Sequence, residues 1–195
     1  MLKRFEFELT PVYSATVHGY RAQLGPFGDM DVRAVVTKQS GRPNQSVLRG
    51  EGFPEAVFTS GREGGRPSLP GGRLTVDGVD VRTDFQGRGF RKASRWLDIH
   101  YRGREYTYRS TGPVGPGRDV TLRRPGALVG FRRAVRKMGI ERVGVAEGEV
   151  DPADLAIALV LEPVDTSCLT RAGAFLDAAI GVLARGNPAD GNVAE

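Results

Sequence analysis

Cysteine is almost absent from this 195-residue chain: Cys168 stands alone. No intrachain disulfide and no cysteine-rich zinc site can therefore form. Histidine is nearly as scarce, with only His18 and His100. A catalytic metal site usually needs three protein ligands, so a metal enzyme is poorly provided for. The longest purely apolar run is Leu155–Leu161, far short of the ~20 residues of a membrane-spanning helix. The opening MLKRFEFEL alternates apolar and charged residues and lacks the continuous apolar stretch of a secretory signal peptide. A cytoplasmic protein is the expectation. Gly-x-Ser-x-Gly, His-Glu-x-x-His and Cys-x-x-Cys patterns are also missing. An enzyme is the minority reading, and no cofactor or metal is expected.

Arginine and glycine are abundant. Of 28 basic residues 24 are arginine, a preference that suggests a GC-rich genome and weakens any argument from arginine number alone. With 27 glycines and 12 prolines, one fifth of the chain is turn-forming. The length suits one domain, read as 1–186 with a disordered tail at 187–195. Charge is uneven. Residues 1–81 hold 10 basic and 9 acidic residues, 82–137 hold 15 and 4, and 138–195 hold 3 and 10. Either the basic middle pairs with the acidic end inside the fold, or it serves an anionic partner.

The first 150 residues read as mainly β. Phe5, Phe7 and Leu9 alternate with charged residues, the period of a half-buried strand. Short apolar runs follow at Val12–Val17, Val32–Thr37 and Ala56–Thr59, and Gly61–Gly72 reads as a loop. In RLTV-DG-VDVR, Asp77-Gly78 suits a two-residue type I′ turn, because both central positions need positive φ. That turn pairs Val76 with Val79 and Leu74 with Val81 on one buried face. A second hairpin, turning at Arg102-Gly103, sets Ile99 opposite Tyr106, Leu97 opposite Tyr108 and His100 opposite Glu105. From Asp151 the character changes. A capping carboxylate followed by proline starts a helix, and Ala153–Glu162 is apolar nearly all round. Such a helix must be buried on every side; a buried strand is the competing reading. A second helix is expected at 170–184, stopped by Gly186-Asn187-Pro188. The fold class is thus α+β: a barrel or strongly curved antiparallel sheet, a buried helix near 153–162, and a C-terminal helix.

Two basic segments are candidate anion sites. In FQGRGFRKASRW, Gly87 and Gly89 would let backbone amides approach an anion, while Arg88, Arg91 and Lys92 supply charge. The segment is not a P-loop, lacking that motif's spacer and its Gly-Lys-Ser/Thr ending. The aromatics Phe85, Phe90 and Trp96 could stack on bases or enter a lipid interface. In FRRAVRK, a strand would send Phe131, Arg133, Val135 and Lys137 one way, and Arg132, Ala134 and Arg136 the other. Arginines held on such a frame can take a phosphate bidentately. Asp98 and His100 share a face of their strand and could tune a base or hold a metal. A cross-strand pair of His100 with Glu105, beside Arg109 stacked on Trp96, accounts for them better. Cys168 reads as a buried, inert thiol.

The stretch ERVGVAEGEVDPADLAIALVLEPVD (141–165) resembles the end of the tubby-like C-terminal superfamily, which includes the LURP-one-related proteins and the phospholipid scramblases. Arg142–Val145 would be its late strand, Gly148–Asp154 its acidic turn and Leu155–Leu161 its central helix. FRRAVRK resembles the basic strand that precedes them. The expected second helix at 170–184 departs from that pattern. The resemblance implies a closed β-barrel around the helix, and a binding scaffold for anionic ligands without catalysis. The reading that follows is a non-catalytic module for a lipid headgroup or phosphorylated small molecule, peripheral to an anionic membrane surface in the first case. Its binding residues would be Arg88, Arg91, Lys92, Arg132, Arg133 and Arg136. The alternatives are an assembly subunit with charge-steered protein contacts or self-association, and single-stranded nucleic-acid binding. Duplex DNA is disfavoured.

Overall fold

A computed structural model describes residues 4–14, 16–35, 43–61, 66–86, 95–110, 119–136 and 139–170, without the side chains of 135, 136, 139 and 140. Twelve strands follow one another: β1 (Arg4–Tyr13), β2 (Val17–Gln23), β3 (Asp29–Val35), β4 (Gln45–Gly50), β5 (Ala56–Thr59), β6 (Arg73–Val76), β7 (Val79–Gln86), β8 (Trp96–Tyr101), β9 (Arg104–Ser110), β10 (Val120–Arg124), β11 (Ala127–Arg136) and β12 (Gly139–Gly148). Each pairs antiparallel with its sequence neighbours, and β1 pairs with β12, so the ring is closed. Closure removes the sheet edges that would otherwise template aggregation.

Two strands turn the corners of the ring. Residues 4–9 of β1 pair with β12, and 10–13 pair with β2. Likewise 79–81 of β7 pair with β6, and 82–86 pair with β8. Strands that change partner along their length join two sheets into one wall. At a close approach in that wall, Gly144 lies under Phe7: a Cβ there would meet the ring at 2.2 Å.

An interior of about eight strands is filled by side chains alone; twelve enclose more space. Here α1 (Pro152–Val160) fills it. Leu155, Ala156, Ile157, Ala158, Leu159, Val160 and Leu161 are all 0% exposed. Each large aliphatic side chain so buried contributes roughly 1.5–3 kcal/mol. The absence of a polar stripe, visible in the sequence, is the signature of a helix walled in on all sides. The strand alternative for this segment is thereby excluded.

Both hairpins have the expected registers: Leu74↔Val81 and Val76↔Val79 in one, Leu97↔Tyr108, Ile99↔Tyr106 and His100↔Glu105 in the other. Asp77, Gly78, Arg102 and Gly103 all have positive φ, as a type I′ turn requires. One detail differs. Val79 is 46% exposed, because it sits beside the turn at the barrel's rim. The run Val12–Val17 also needs correction: it straddles a turn, with Ser14 N–H donating to the Val17 carbonyl at 2.8 Å. The apolar residues of that run belong to two antiparallel strands. Beyond Thr170, the expected second helix at 170–184 lies outside the described residues, as does the tail at 187–195.

Candidate ligand site at the mouth of the barrel

The two ends of the barrel are built differently. At one end the connections are short: 24–28, 51–55, 77–78, 102–103, 125–126, and 149–151 leading into α1. We call this the turn end. At the other, the strand ends are joined by 14–16, 36–44, 60–72, 87–95, 111–119 and 137–138, and the chain leaves α1 through 161–170. This is the mouth. The connecting sequences at the turn end hold one basic and five acidic residues; those at the mouth hold ten basic and four acidic.

At the turn end the charges are tied to the helix start. The Asp151 carboxylate accepts from the N–H groups of Ala153 and Asp154, both at 3.0 Å. Asp154 returns the bond to the Asp151 N–H at 3.0 Å, completing a capping box. Asp154, 1% exposed, also accepts from the Tyr106 hydroxyl at 3.0 Å and from Arg124 Nε and Nη2 at 2.8 and 2.7 Å. Arg104 pairs with Asp151. Burial would raise the Asp151 carboxyl, but the Asp154 N–H and the Arg104 guanidinium outweigh it and hold the group below its ordinary value. Burial pushes the Tyr106 phenol up to about 12, so it remains a donor. Here the basic middle of the chain does meet its acidic end.

At the mouth a cavity of about 330 Å³ opens between β1, β2, β11, β12 and the exit of α1. That volume is at the low end for small-molecule pockets. Its floor is a desolvated ion pair. Arg142 donates to Glu162 through Nε at 2.6 Å and Nη2 at 3.0 Å, with side chains 7% and 3% exposed. Burial pushes the Glu162 carboxyl above its ordinary value, against the pull of Arg142. Burial would lower Arg142, but the Glu162 carboxylate prevails and keeps the guanidinium charged. Tyr20 stands beside the pair, and burial followed by the Glu162 charge pushes its phenol up to about 12. Leu9, Pro11 and Pro163 line carbon walls, and Tyr13 and His18 complete the aromatic side, their rings in edge contact at 5.7 Å.

Two further arginines line the cavity, Arg66 and Arg133. Arg66 donates through Nε and Nη2 to the Pro163 carbonyl at 3.2 and 2.8 Å, a neutral acceptor, while its charge also acts on Glu162 from beyond ion-pair distance. Arg133 is fixed through its backbone, whose N–H donates to Asp119 at 3.2 Å. Among the described residues neither guanidinium has a carboxylate within ion-pair distance.

Strand alternation separates the arginines named from sequence. Arg133 shares the inward parity of buried Phe131 and reaches the cavity beyond the end of the helix. Arg132 faces the outside and pairs with Glu6 at 3.4 Å, in an exposed contact. The side chain of Arg136, and the whole of Arg88, Arg91 and Lys92, lie outside the described residues. Asp98 accepts from the Trp96 indole N–H at 2.8 Å. His100 lies 3.6 Å from Asp84 and 3.9 Å from Glu105, and Arg109 stacks over Trp96 at 5.0 Å. No group of three or more metal-ligating side chains occurs among the described residues. Cys168 is buried.

Sequence reasoning missed Tyr13, His18, Tyr20, Arg66, Arg142 and Glu162 as site residues. One signal was available for Arg142. It shares the inward parity of Gly144 and Ala146 in β12, and a charge among small inward residues marks a built polar site. Among proteins of known family, curated function or solved structure, no family model, no curated protein and no solved structure matches this chain.

Proposed function

We propose that the protein is a non-catalytic binding module for an anion of the phosphate or carboxylate class, carried by a lipid headgroup or by a free small molecule, and held at the mouth of the barrel. The observation that carries this reading is the pair of guanidiniums, Arg66 and Arg133, that line one cavity without carboxylate partners among the described residues. A guanidinium fork matches such anions bidentately. A late strand leading through an acidic turn into an apolar helix inside a closed barrel also supports remote membership of the tubby-like superfamily.

The test is co-sedimentation with phosphatidylglycerol and with phosphatidylcholine vesicles, at low and high salt, beside calorimetric titration with glycerol 3-phosphate. Binding to anionic vesicles alone, weakened by salt, identifies a headgroup as the source. Binding of the soluble phosphate without vesicle binding identifies a free ligand. Either should be lost in Arg133→Glu and retained in Arg132→Ala. Binding unchanged in Arg133→Glu overturns the reading. A salt-sensitive oligomer that binds neither probe replaces it with assembly through charged ends.

A further inference from the structure

The cavity's lining limits the kind of anion it can take. Among the described lining residues, Arg66, Arg133 and Arg142 carry three positive charges against the two carboxyls of Glu141 and Glu162, a net charge of +1 with both carboxyls ionised. One negative charge on a ligand balances it. A polyphosphate would set its further charges against the two glutamates in a partly enclosed space, where screening by water is weak. The remaining lining is mostly carbon and ring: Leu9, Pro11 and Pro163 with the rings of Tyr13, His18 and Tyr20, beside Gly19. Covering apolar surface of this kind favours an apolar or planar body and gains nothing from a hydroxyl-rich one. The volume is about ten times that of one water in the liquid, so a bare inorganic anion would leave most of the space unfilled. Pro11 adds a positional argument. It has no N–H to give to the ladder, and it stands in the part of β1 that has turned away from β12 to pair with β2, on the cavity wall.

We propose that the cavity binds a singly charged amphiphile, a carboxylate or phosphodiester joined to an aliphatic or planar body, and discriminates against polyphosphorylated ligands. Arg133 meets the anionic group, and the Tyr13–Tyr20 side holds the body. This rests on the anion-binding reading above and narrows it to one chemical class.

The experiment is calorimetric titration of the full chain, at about 0.15 M salt so that diffuse attraction is screened, with decanoate, inorganic phosphate and inositol hexakisphosphate. Wild type is compared with Arg133→Ala and Tyr13→Ser. Tyr13 is 66% exposed, so its replacement leaves the fold intact, and circular dichroism checks both variants. Decanoate should bind at least 10-fold more tightly than either phosphate probe. Its affinity should fall 10-fold or more in Arg133→Ala and several-fold in Tyr13→Ser. If phosphate or hexakisphosphate binds as tightly as decanoate or more so, and still depends on Arg133, the amphiphile assignment fails and the anion reading stands. If no probe binds, or none depends on Arg133, both fail.

Discussion

The turn end and the mouth solve one problem, how to anchor a greasy helix inside a wall of strands, in two different ways. Both use a buried carboxylate of the helical segment against an arginine of the wall: Asp154 with Arg124 at the start, Glu162 with Arg142 at the exit. At the start the carboxylate also meets Tyr106 and the Asp151 N–H, within the capping box, and the connections there are brief. At the exit the pair forms the floor of a cavity, and two more arginines stand over it. The first arrangement completes a helix terminus. The second leaves cationic groups facing a space. That difference is why the mouth, rather than the turn end, is the candidate site.

The largest effects should come from breaking either anchor. Glu162→Ala and Asp154→Ala should each destabilise the protein by about 3–5 kcal/mol, because each removes the carboxylate that a largely desolvated arginine is paired with. Denaturant unfolding would measure both. The paired change Arg142→Met with Glu162→Leu should recover most of that loss, since replacing a buried ion pair by apolar groups is often near neutral. It should also abolish the polar floor of the cavity, so stability and decanoate binding would separate. Asp151→Ala, which removes the helix cap, should lower stability by about 1 kcal/mol.

The two ends should also respond to pH with opposite sign. The Asp151 carboxyl is held below its ordinary 3.8. Its contribution is complete above pH 3.8 and is lost as pH falls through the depressed value. The Glu162 carboxyl is raised above its ordinary 4.5. Its contribution is complete below pH 4.5 and is lost as pH rises through the raised value. Thermal unfolding at stepped pH should show Asp151→Asn flattening the acid side of the profile and Glu162→Gln flattening the other. The smallest effect belongs to the outer wall. Arg132→Ala removes only an exposed contact with Glu6 and should change stability by less than about 0.5 kcal/mol.

What the sequence made legible was local. Asp77-Gly78, Arg102-Gly103 and Asp151-Pro152 each carry their conformation in their own chemistry, and the hairpins and helix start stand where those residues indicate. Ring closure pairs Arg4 with Glu147, and nothing near either residue announces the other. The Val12–Val17 run misled because apolar side chains on both sides of a turn look like one strand when the turn, around Ser14, carries no glycine. The charge map was legible as a total but not as a geometry. Counting along the chain grouped Arg104 and Arg124 with Arg133, whereas alternating strand direction sends the first two to the turn end and the third to the mouth. The site itself is assembled from β1, β2, β11, β12 and the helix exit, so no contiguous motif could display it.

The dual pairing of β1 has a consequence for the order of events in folding. The first strand is made first, yet residues 4–9 find their partner only in the last strand, and the helix that fills the lumen is made after both. A ring cannot close on an empty interior without trapping unfilled space, so the helix must enter while the seam between β1 and β12 is open. The seam is also the most non-local contact in the wall, which makes its formation slow. The amides of residues 4–9 should therefore be among the last to gain protection in pulse-labelled hydrogen exchange during refolding, and the protein should close, like a clasp, only after its contents are in place.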